Sequence, residues 1–334
     1  MPSIRRPPRG PWIKVWALAA ALIVGHMTAL EIFWRDRGHQ PGVSPSLQLW
    51  CYHRERVQAA GHETLAVLGA SRMQVGFIQE AFLEVHPDIE LVQLAVPAKG
   101  PVAALAELAS DQEFRGLVLC SIEEVSLQPV YHNDQIPYVA YWREKWGPGK
   151  KVSLVLAATF QEWLAQLQPR LGGEHLVSAL AQGRLPLVPY YHTQFNRQRT
   201  VDYSDVNVRQ LIDTRVNYLR RELTRYPPAT PEVWQEVVAQ LAGYVREIHA
   251  RGGKVAFVKF PLTGRLLDLE AELLPRGRYW DVLAAGLGTD VIHYEEMPGI
   301  DALQLPDDSH LDPEGAVAFT RWLAQQLEQR GFFR

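Results

Sequence analysis

The residue types best suited to covalent chemistry occur in two short stretches at opposite ends of the 334-residue chain. In the first, Ser71 follows an apolar run and the small residues Gly69 and Ala70, and a helix-compatible stretch comes after it. A serine at such a strand-to-helix turn exposes its hydroxyl, and the amides that begin the helix can stabilise an anion beside it. Serine is also a common helix N-cap, so this stretch alone has a structural interpretation as well.

The second stretch places Asp307 three residues before His310, just ahead of the last predicted helix. There the carboxylate could orient the imidazole and stabilise its charged form while the imidazole acts as a base for a distant serine. The alternative is a metal site, for which the sequence offers Asp307, Asp308, His310 and Asp312. One histidine without a second ligand cluster suits a metal less well, and Asp312 followed by Pro313 is typical of a helix start.

The rest of the chain has the rhythm of an α/β protein, in which short apolar runs alternate with amphipathic stretches. Strands are predicted at 64–69, 90–96, 116–122, 254–260 and 289–294. Helices are predicted at 76–86, 102–110, 231–251, 278–286 and 313–330. This order predicts a three-layer αβα fold with a doubly wound parallel sheet, in which ligands bind at the carboxyl ends of the strands.

Residues 131–230 interrupt this rhythm and are predicted to form a helical, aromatic-rich insertion. Its tyrosines and tryptophans could stack on sugars or cover a cleft, or they could simply pack inside a small helical subdomain. The predicted organisation is therefore a tail and membrane helix over 1–35, a linker over 36–60, an α/β domain over 61–130 and 231–334, and the insertion.

The N-terminus predicts a membrane segment. Four positive charges precede or begin the apolar run 15–30, namely Arg5, Arg6, Arg9 and Lys14. A helix over 12–34 would span about 34 Å, enough for a hydrocarbon core of about 30 Å. The positive flank predicts a cytoplasmic N-terminus in the inner membrane of a bacterium, with the main domain in the periplasm or outside the cell. A cleaved signal peptide is the alternative, but no small-x-small cleavage site follows the apolar run, which favours a retained anchor.

Composition narrows the classes of partner and cofactor. With 34 Lys and Arg against 37 Asp and Glu, the net charge is -3, which argues against a nucleic-acid partner. The 47% hydrophobic and 21% charged residues are ordinary globular values and exclude a polytopic membrane protein. The two cysteines, Cys51 and Cys120, provide neither a disulfide framework nor a cysteine-rich zinc site. No cofactor or metal is indicated.

Taken together, the two chemical stretches resemble the SGNH/GDSL hydrolase superfamily. The resemblance implies that Ser71 is the nucleophile and that Asp307 and His310 complete the triad. It also implies that Gly100, which follows the second predicted strand, matches the family's second-block glycine and forms the oxyanion hole with the amide of Ser71. The family's third-block asparagine is absent, because residues 120–125 after the third strand include none.

The resemblance is to a divergent branch, since Ala70 replaces the aspartate of the family's first block. The anchor, a Gly-x-Ser-Arg first block and a terminal Asp-x-Ser-His-Leu are similar to the DltD-like and alginate O-acetylation proteins of the cell envelope. This implies acyl transfer or ester cleavage on an envelope glycan or polymer, beside a membrane-bound O-acyltransferase. The insertion has no counterpart in the resemblance.

Four basic residues near the predicted edge could hold an anionic group of the substrate, although such residues often lie on the surface. They are Arg72, Lys259, Arg276 and Arg278. The leading hypothesis is thus a membrane-anchored serine acyltransferase or esterase. A noncatalytic scaffold subunit of an envelope O-acylation complex, which binds polymer through its aromatic insertion, is the alternative that the missing asparagine favours.

Overall fold

The computed structural model describes residues 11–59 and 63–333, so Arg5, Arg6 and Arg9 of the positive flank lie outside the described residues. Two compact units are present. The first combines the described residues up to Val43 with residues 158–189, and the second contains residues 44–157 and the chain from Tyr190 onward.

The strands, in chain order, are β1 (Thr64–Leu68), β2 (Glu90–Gln93), β3 (Leu117–Ser121), β4 (Tyr191–Thr193), β5 (Arg199–Val201), β6 (Lys254–Lys259) and β7 (Asp290–His293). The α-helices of the described residues are α1 (Trp12–Arg35), α2 (Leu47–Ala59), α3 (Ser71–Gly76), α4 (Gln79–Leu83), α5 (Val102–Ser110), α6 (Ile136–Lys145), α7 (Pro148–Trp163), α8 (Gly173–Ala181), α9 (Val208–Arg225), α10 (Pro231–Ala250), α11 (Gly264–Leu273), α12 (Trp280–Gly286) and α13 (Pro313–Gln329).

Five of the strands form one parallel sheet in the order β2-β1-β3-β6-β7, which confirms the predicted α/β class. In the register of the central strands, Leu68 of β1 lies beside Cys120 of β3, and Cys120 lies beside Phe257 of β6. The carboxyl ends of these strands therefore share one edge. The loops that leave β1, β3 and β6 start from that edge.

Apolar cores cover both faces of the sheet. Alternate strand residues point to opposite faces, so Ala66 and Leu68 belong to one core while Leu65 and Val67 belong to the other. The first core packs against α2, α5, α10 and α12, and the second against α3, α4 and α13. Every residue of β1 and β3 is buried, as expected for parallel strands covered on both sides.

The predicted helix over 76–86 is wrong in its extent. The chain forms two short helices there, and Ser71 begins the first of them. The break is stabilised by the Ile78 amide, which donates to Thr320 Oγ1 at 2.9 Å. Gly76 lies against the Phe260 ring, where an added Cβ would come within 2.8 Å. Tight packing against α13 and the sheet therefore overrides the helical spacing.

The stretch 36–60, predicted as a linker, contains the buried helix α2. Its residues Leu49 and Trp50 are fully buried, and so is Arg54. The Arg54 guanidinium bonds both Glu107 oxygens and reaches Asp111 at 2.6 Å. Because this helix buries an arginine within a run of polar residues, the periodicity of apolar residues does not predict it. The insertion, predicted as helical and rich in aromatic residues, also contains the antiparallel pair β4 and β5.

Helix α1 is long and apolar enough to cross a membrane, and its apolar window is not buried inside the protein. A membrane anchor and a signal sequence both fit this description.

Candidate active site

A forced turn after β1 sets the position of Ser71. Gly69 has a φ of +146°, a conformation that L side chains rarely adopt. A Cβ on Gly69 would also lie 2.9 Å from Ser121 Oγ at the end of β3. The chain thus passes from β1 to α3 through two small residues, and Ser71 occupies the first position of the helix.

The structure places Ser71, His310 and Asp307 in one hydrogen-bonded chain, as their positions in the sequence predict. His310 Nε2 lies 2.9 Å from Ser71 Oγ, and His310 Nδ1 lies 3.0 Å from Asp307 Oδ2. With the carboxylate accepting from Nδ1, Nε2 is the nitrogen that can accept the serine proton. Ser71 is more than 230 positions from Asp307 and His310 in the sequence, and it meets them because the loop before α13 returns to the edge where β1 ends.

The loop that carries the acid and the histidine is held by its own aspartates. Asp307 Oδ1 accepts the amides of Ser309 at 3.0 Å and His310 at 2.8 Å. Asp308 has a φ of +61°, and its carboxylate accepts the amide of Arg265 at 3.0 Å. These bonds fix the backbone so that the imidazole faces Ser71.

The four residues considered as metal ligands do not converge. Asp308 bonds the start of α11, and Asp312 caps α13 by accepting the amide of Gly315 at 2.8 Å. Among residues 11–59 and 63–333, no three His, Cys, Asp or Glu side chains form a group that could hold a metal ion.

Two residues of the insertion, Tyr203 and Arg215, complete the surroundings of Asp307. Tyr203 donates its hydroxyl to Asp307 Oδ2 at 2.6 Å. Arg215, on α9, forms an ion pair with the same oxygen and donates to the Asp307 backbone carbonyl at 3.1 Å. The sequence analysis missed both residues, since no spacing links them to the loop before α13. The aromatic content of the insertion was the only signal that pointed toward them.

These contacts determine the protonation states of Asp307 and His310. Burial alone would raise the pKa of Asp307, but bonds from His310 and Tyr203 and the charge of Arg215 outweigh burial and hold that pKa well below its usual range. Burial lowers the pKa of His310, and although Asp307 opposes this, the charges of Arg215 and Arg72 add to it. Near neutral pH the pair is therefore a carboxylate and a neutral imidazole, which is the state that a general base requires.

The predicted oxyanion donor Gly100 is already engaged. Its amide donates to Asp134 Oδ2 at 3.3 Å, and an added Cβ would lie 2.4 Å from the Ser126 carbonyl oxygen. Gly100, Ala70 and Ala98 line a pocket of about 130 Å³. Ala98, which has a φ of +56°, also lines the cleft that contains Ser71, whereas Gly100 does not. To serve as an oxyanion donor, the Gly100 amide would have to leave Asp134.

The cleft in front of the triad has a volume of about 380 Å³ and receives much of its wall from the insertion. Besides Ser71 and His310, its lining includes Tyr190, Tyr191, Arg199, Arg215, Tyr218 and Leu219. The smaller pocket shares Ala98 and three further lining residues with it, so the two spaces adjoin. The site thus offers aromatic rings and guanidinium groups beside a reactive hydroxyl.

Of the four basic residues predicted to bind substrate, Arg72 lines this cleft, where its Nε donates to Ser309 Oγ at 3.2 Å. The other three are not among the residues that line this cleft. Lys259 is buried between Glu124 at 2.5 Å and Glu270 at 2.8 Å. Arg276 pairs with Asp281 and Glu295 on the surface, and Arg278 donates to the Ala229 carbonyl. Each of these cations is held by partners inside the protein, and Glu270, a partner of Lys259, is itself part of the cleft wall.

Glu123 occupies the place after β3 where the resemblance leads one to expect asparagine. It is buried, and its Oε1 lies 3.8 Å from Arg72 Nη1 without a hydrogen-bond partner among the described residues. Burial raises its pKa. Burial and the nearby Glu270 likewise raise the pKa of Glu124 to about 7, against the opposing charge of Lys259. The stretch after β3 therefore carries buried carboxyl groups, and Lys259 pairs with one of them, Glu124, and with Glu270 of α11.

No protein-family model matches the chain, and comparison with curated proteins finds no significant match. The chemistry of the site is therefore argued from its geometry. A neutral imidazole that is oriented by a carboxylate can deprotonate the serine hydroxyl, so that the serine oxygen attacks an electrophilic carbon.

Proposed function

We propose that this protein is a membrane-anchored serine acyltransferase or esterase of the SGNH type that acts on an acylated cell-envelope glycan or polymer. The observation that carries the proposal is the unbroken chain from Ser71 Oγ through the His310 ring to Asp307 Oδ2, with separations of 2.9 and 3.0 Å. Nucleophile, base and orienting acid stand in the order that acyl transfer through a covalent intermediate requires.

In the proposed reaction, Ser71 Oγ attacks the acyl carbonyl while His310 Nε2 takes its proton. The Ser71 amide, at the first position of α3, can donate to the developing oxyanion. Collapse of the tetrahedral species returns the proton from His310 to the leaving alcohol and leaves the acyl group on Ser71. Attack by water then gives hydrolysis, and attack by a glycan hydroxyl gives transfer. Asp307 stays ionised throughout and stabilises the imidazolium.

The fold supports this proposal without being specific for it. The sheet order places β1 and β3 side by side, and Ser71 follows β1 at the carboxyl edge where doubly wound sheets bind ligands. The loop with Asp307 and His310 precedes the last helix, as the resemblance implies. The exposed helix α1 supports attachment to the cytoplasmic membrane.

The cleft supports a glycan or polymer as substrate. Tyr190 and Tyr191 present rings on which a sugar can stack, and Arg199 lies over the Tyr191 ring at 4.5 Å. Arg72 and Arg215 offer hydrogen-bond donors to hydroxyl or anionic groups near Ser71. A cleft built from rings and planar cations suits a polar, flat-faced substrate better than a lipid chain.

A fluorophosphonate probe tests the proposal, because the probe reacts only with an activated serine. We expect the wild type to be labelled and Ser71→Ala to lose the label while staying folded. His310→Ala should label at least about a hundredfold more slowly. Asp307→Ala should retain a higher labelling rate than His310→Ala. The variant that combines both substitutions should be labelled little more slowly than His310→Ala alone, because triad residues act as a unit.

Ser178→Ala is the matched control, since it removes an exposed serine of α8 whose hydroxyl accepts from Gln182 at the end of that helix. It should label like the wild type. If the wild type is not labelled and Ser71→Ala supports normal envelope acylation in a deletion strain, the protein is a scaffold subunit and not an enzyme.

A further inference from the structure

The segment from α7 to the end of the first compact unit exposes an unusual amount of apolar surface. Eight large apolar side chains of residues 158–189 are between 37% and 74% exposed, and six of them are Phe160, Trp163, Leu167, Val177, Leu180 and Leu187. We refer to these six as the apolar face. Soluble proteins rarely expose so many large apolar side chains in a short segment unless a membrane or another protein covers them.

The charge of the segment is low. Residues 158–189 include four charged side chains, two acidic and two basic, namely Glu162, Arg170, Glu174 and Arg184. The apolar face therefore has no net charge beside it that would select an acidic or basic partner. Contact with a lipid layer would therefore come from the burial of apolar area and would not depend on anionic lipid.

The same segment is attached to the end of α1. The Glu31 carboxylate accepts the amides of Ala165 at 2.9 Å and Gln166 at 3.1 Å. Gln166 Nε2 donates to the Met27 carbonyl at 3.3 Å, and Arg35 Nη2 donates to the Trp163 carbonyl at 2.9 Å. Both partners of every contact lie in the first compact unit. The depth of α1 in a bilayer therefore fixes the depth of the segment.

That depth is at the boundary of the hydrocarbon. Counted from Trp12, a hydrocarbon core of about 30 Å takes up about 20 helical residues, which ends it close to Glu31. The contacts extend over the last 12 Å or so of α1, from Met27 to Arg35. A carboxylate is costly at this depth unless donors satisfy it. Two backbone amides and the Arg35 guanidinium, at 2.6 Å, supply those donors.

We propose that the apolar face is a membrane-contacting surface, seated in the outer interface of the bilayer that α1 crosses. Trp163, the most exposed of the six at 74%, has an apolar ring with one polar N–H, as is common at the headgroup level. The protein is then held by a spanning helix and by a second, in-plane contact. The proposal rests on α1 remaining attached and is independent of the chemistry at Ser71.

Depth-dependent quenching in proteoliposomes tests this surface. The full chain is reconstituted in phosphatidylcholine vesicles, and single cysteines at Phe160→Cys and Leu180→Cys carry an environment-sensitive fluorophore. Both native cysteines are buried, and burial raises the pKa of Cys51 to about 12, so neither competes for the label. Gln235→Cys, an exposed position on α10, is the control.

We expect lipids with a quencher near the headgroup to lower the emission at positions 160 and 180 by about twofold or more, without need for anionic lipid, and to leave position 235 nearly unchanged. An equal response at all three positions would overturn the proposal. So would labels that escape lipid quenching and become shielded only in native membranes, which would show a protein partner. Intact mass must show that α1 is present, and its removal during maturation would also overturn it. Fluorophosphonate labelling of the same samples reports separately on Ser71.

Discussion

Arg215 is expected to set the pH range in which His310 works as a base. Its guanidinium pairs with the same Asp307 oxygen that His310 bonds, so it disfavours the imidazolium and lowers the pKa of His310. A base with a lowered pKa is neutral over a wider range, and activity is lost only as the pH falls through that pKa. Arg215→Gln removes the repulsion, so the pKa should rise and the acid limb of the pH–rate profile should move to higher pH.

The size of this shift follows from the geometry. Because both groups contact one carboxylate oxygen, the two cations are about 5 Å apart, where they repel by about 3 kcal/mol at an effective dielectric constant of about 20 and by about 0.8 kcal/mol in water. Arg215 keeps 20% of its side chain exposed, which places the repulsion between these limits. Because about 1.4 kcal/mol is a tenfold change in an equilibrium constant, we expect folded Arg215→Gln to be labelled roughly tenfold more slowly than the wild type at the acid end of the profile.

The assay is the rate of fluorophosphonate labelling of Ser71 between pH 4 and pH 9, which requires no knowledge of the substrate. Arg215→Lys retains the charge and should keep most of the wild-type acid limb. Arg265→Gln is the matched control, since it removes an exposed cation that pairs with Asp213 instead. An acid limb that stays in place in folded Arg215→Gln, or that moves equally in Arg265→Gln, would refute the electrostatic role.

Two further substitutions test the surroundings of the site. Lys259→Met leaves Glu124 and Glu270 buried without their cation and should lower the free energy of unfolding in urea by about 3–5 kcal/mol. The surface variant Arg321→Met, which breaks an exposed pair with Glu84, should change it little. Gly100→Ala puts a Cβ 2.4 Å from the Ser126 carbonyl oxygen and should lower the melting temperature by several degrees in a thermal melt. Gly147→Ala, where no atom lies within 4 Å, should not.

The fold was largely predictable because the strands of the main sheet are short, mostly buried runs separated by stretches with helical spacing. The predicted strand at 116–122 appears as Leu117–Ser121, and the helix at 102–110 appears with those bounds. Helix α2 was not predictable in the same way. Its burial depends on Arg54 meeting Glu107 and Asp111, and such long-range charge pairing leaves no periodic pattern in the sequence.

The candidate site likewise contains residues that could be predicted from the sequence and residues that could not. Ser71, Asp307 and His310 were predictable because each follows or precedes an element whose position in an α/β sheet is fixed. Tyr203 and Arg215 were not, since the insertion meets the loop before α13 only in three dimensions. The misplacement of Lys259 has a similar cause. Its strand does reach the predicted edge, but two buried glutamates hold its ammonium group inside.

Because Arg215 of α9 forms an ion pair with Asp307, the insertion cannot be deleted at its sequence boundaries without removing contacts of the candidate site. Asp307 is completely buried, and two of its side-chain partners belong to residues 131–230. A shortened protein that joins residue 130 to residue 231 would keep all five strands of the main sheet and all three members of the triad. It would nevertheless bury a carboxylate with its charge compensation removed. The α/β domain therefore needs the part of the insertion that carries Tyr203 and Arg215, and a ligand that displaces α9, which forms part of the cleft wall, will change the basicity of His310.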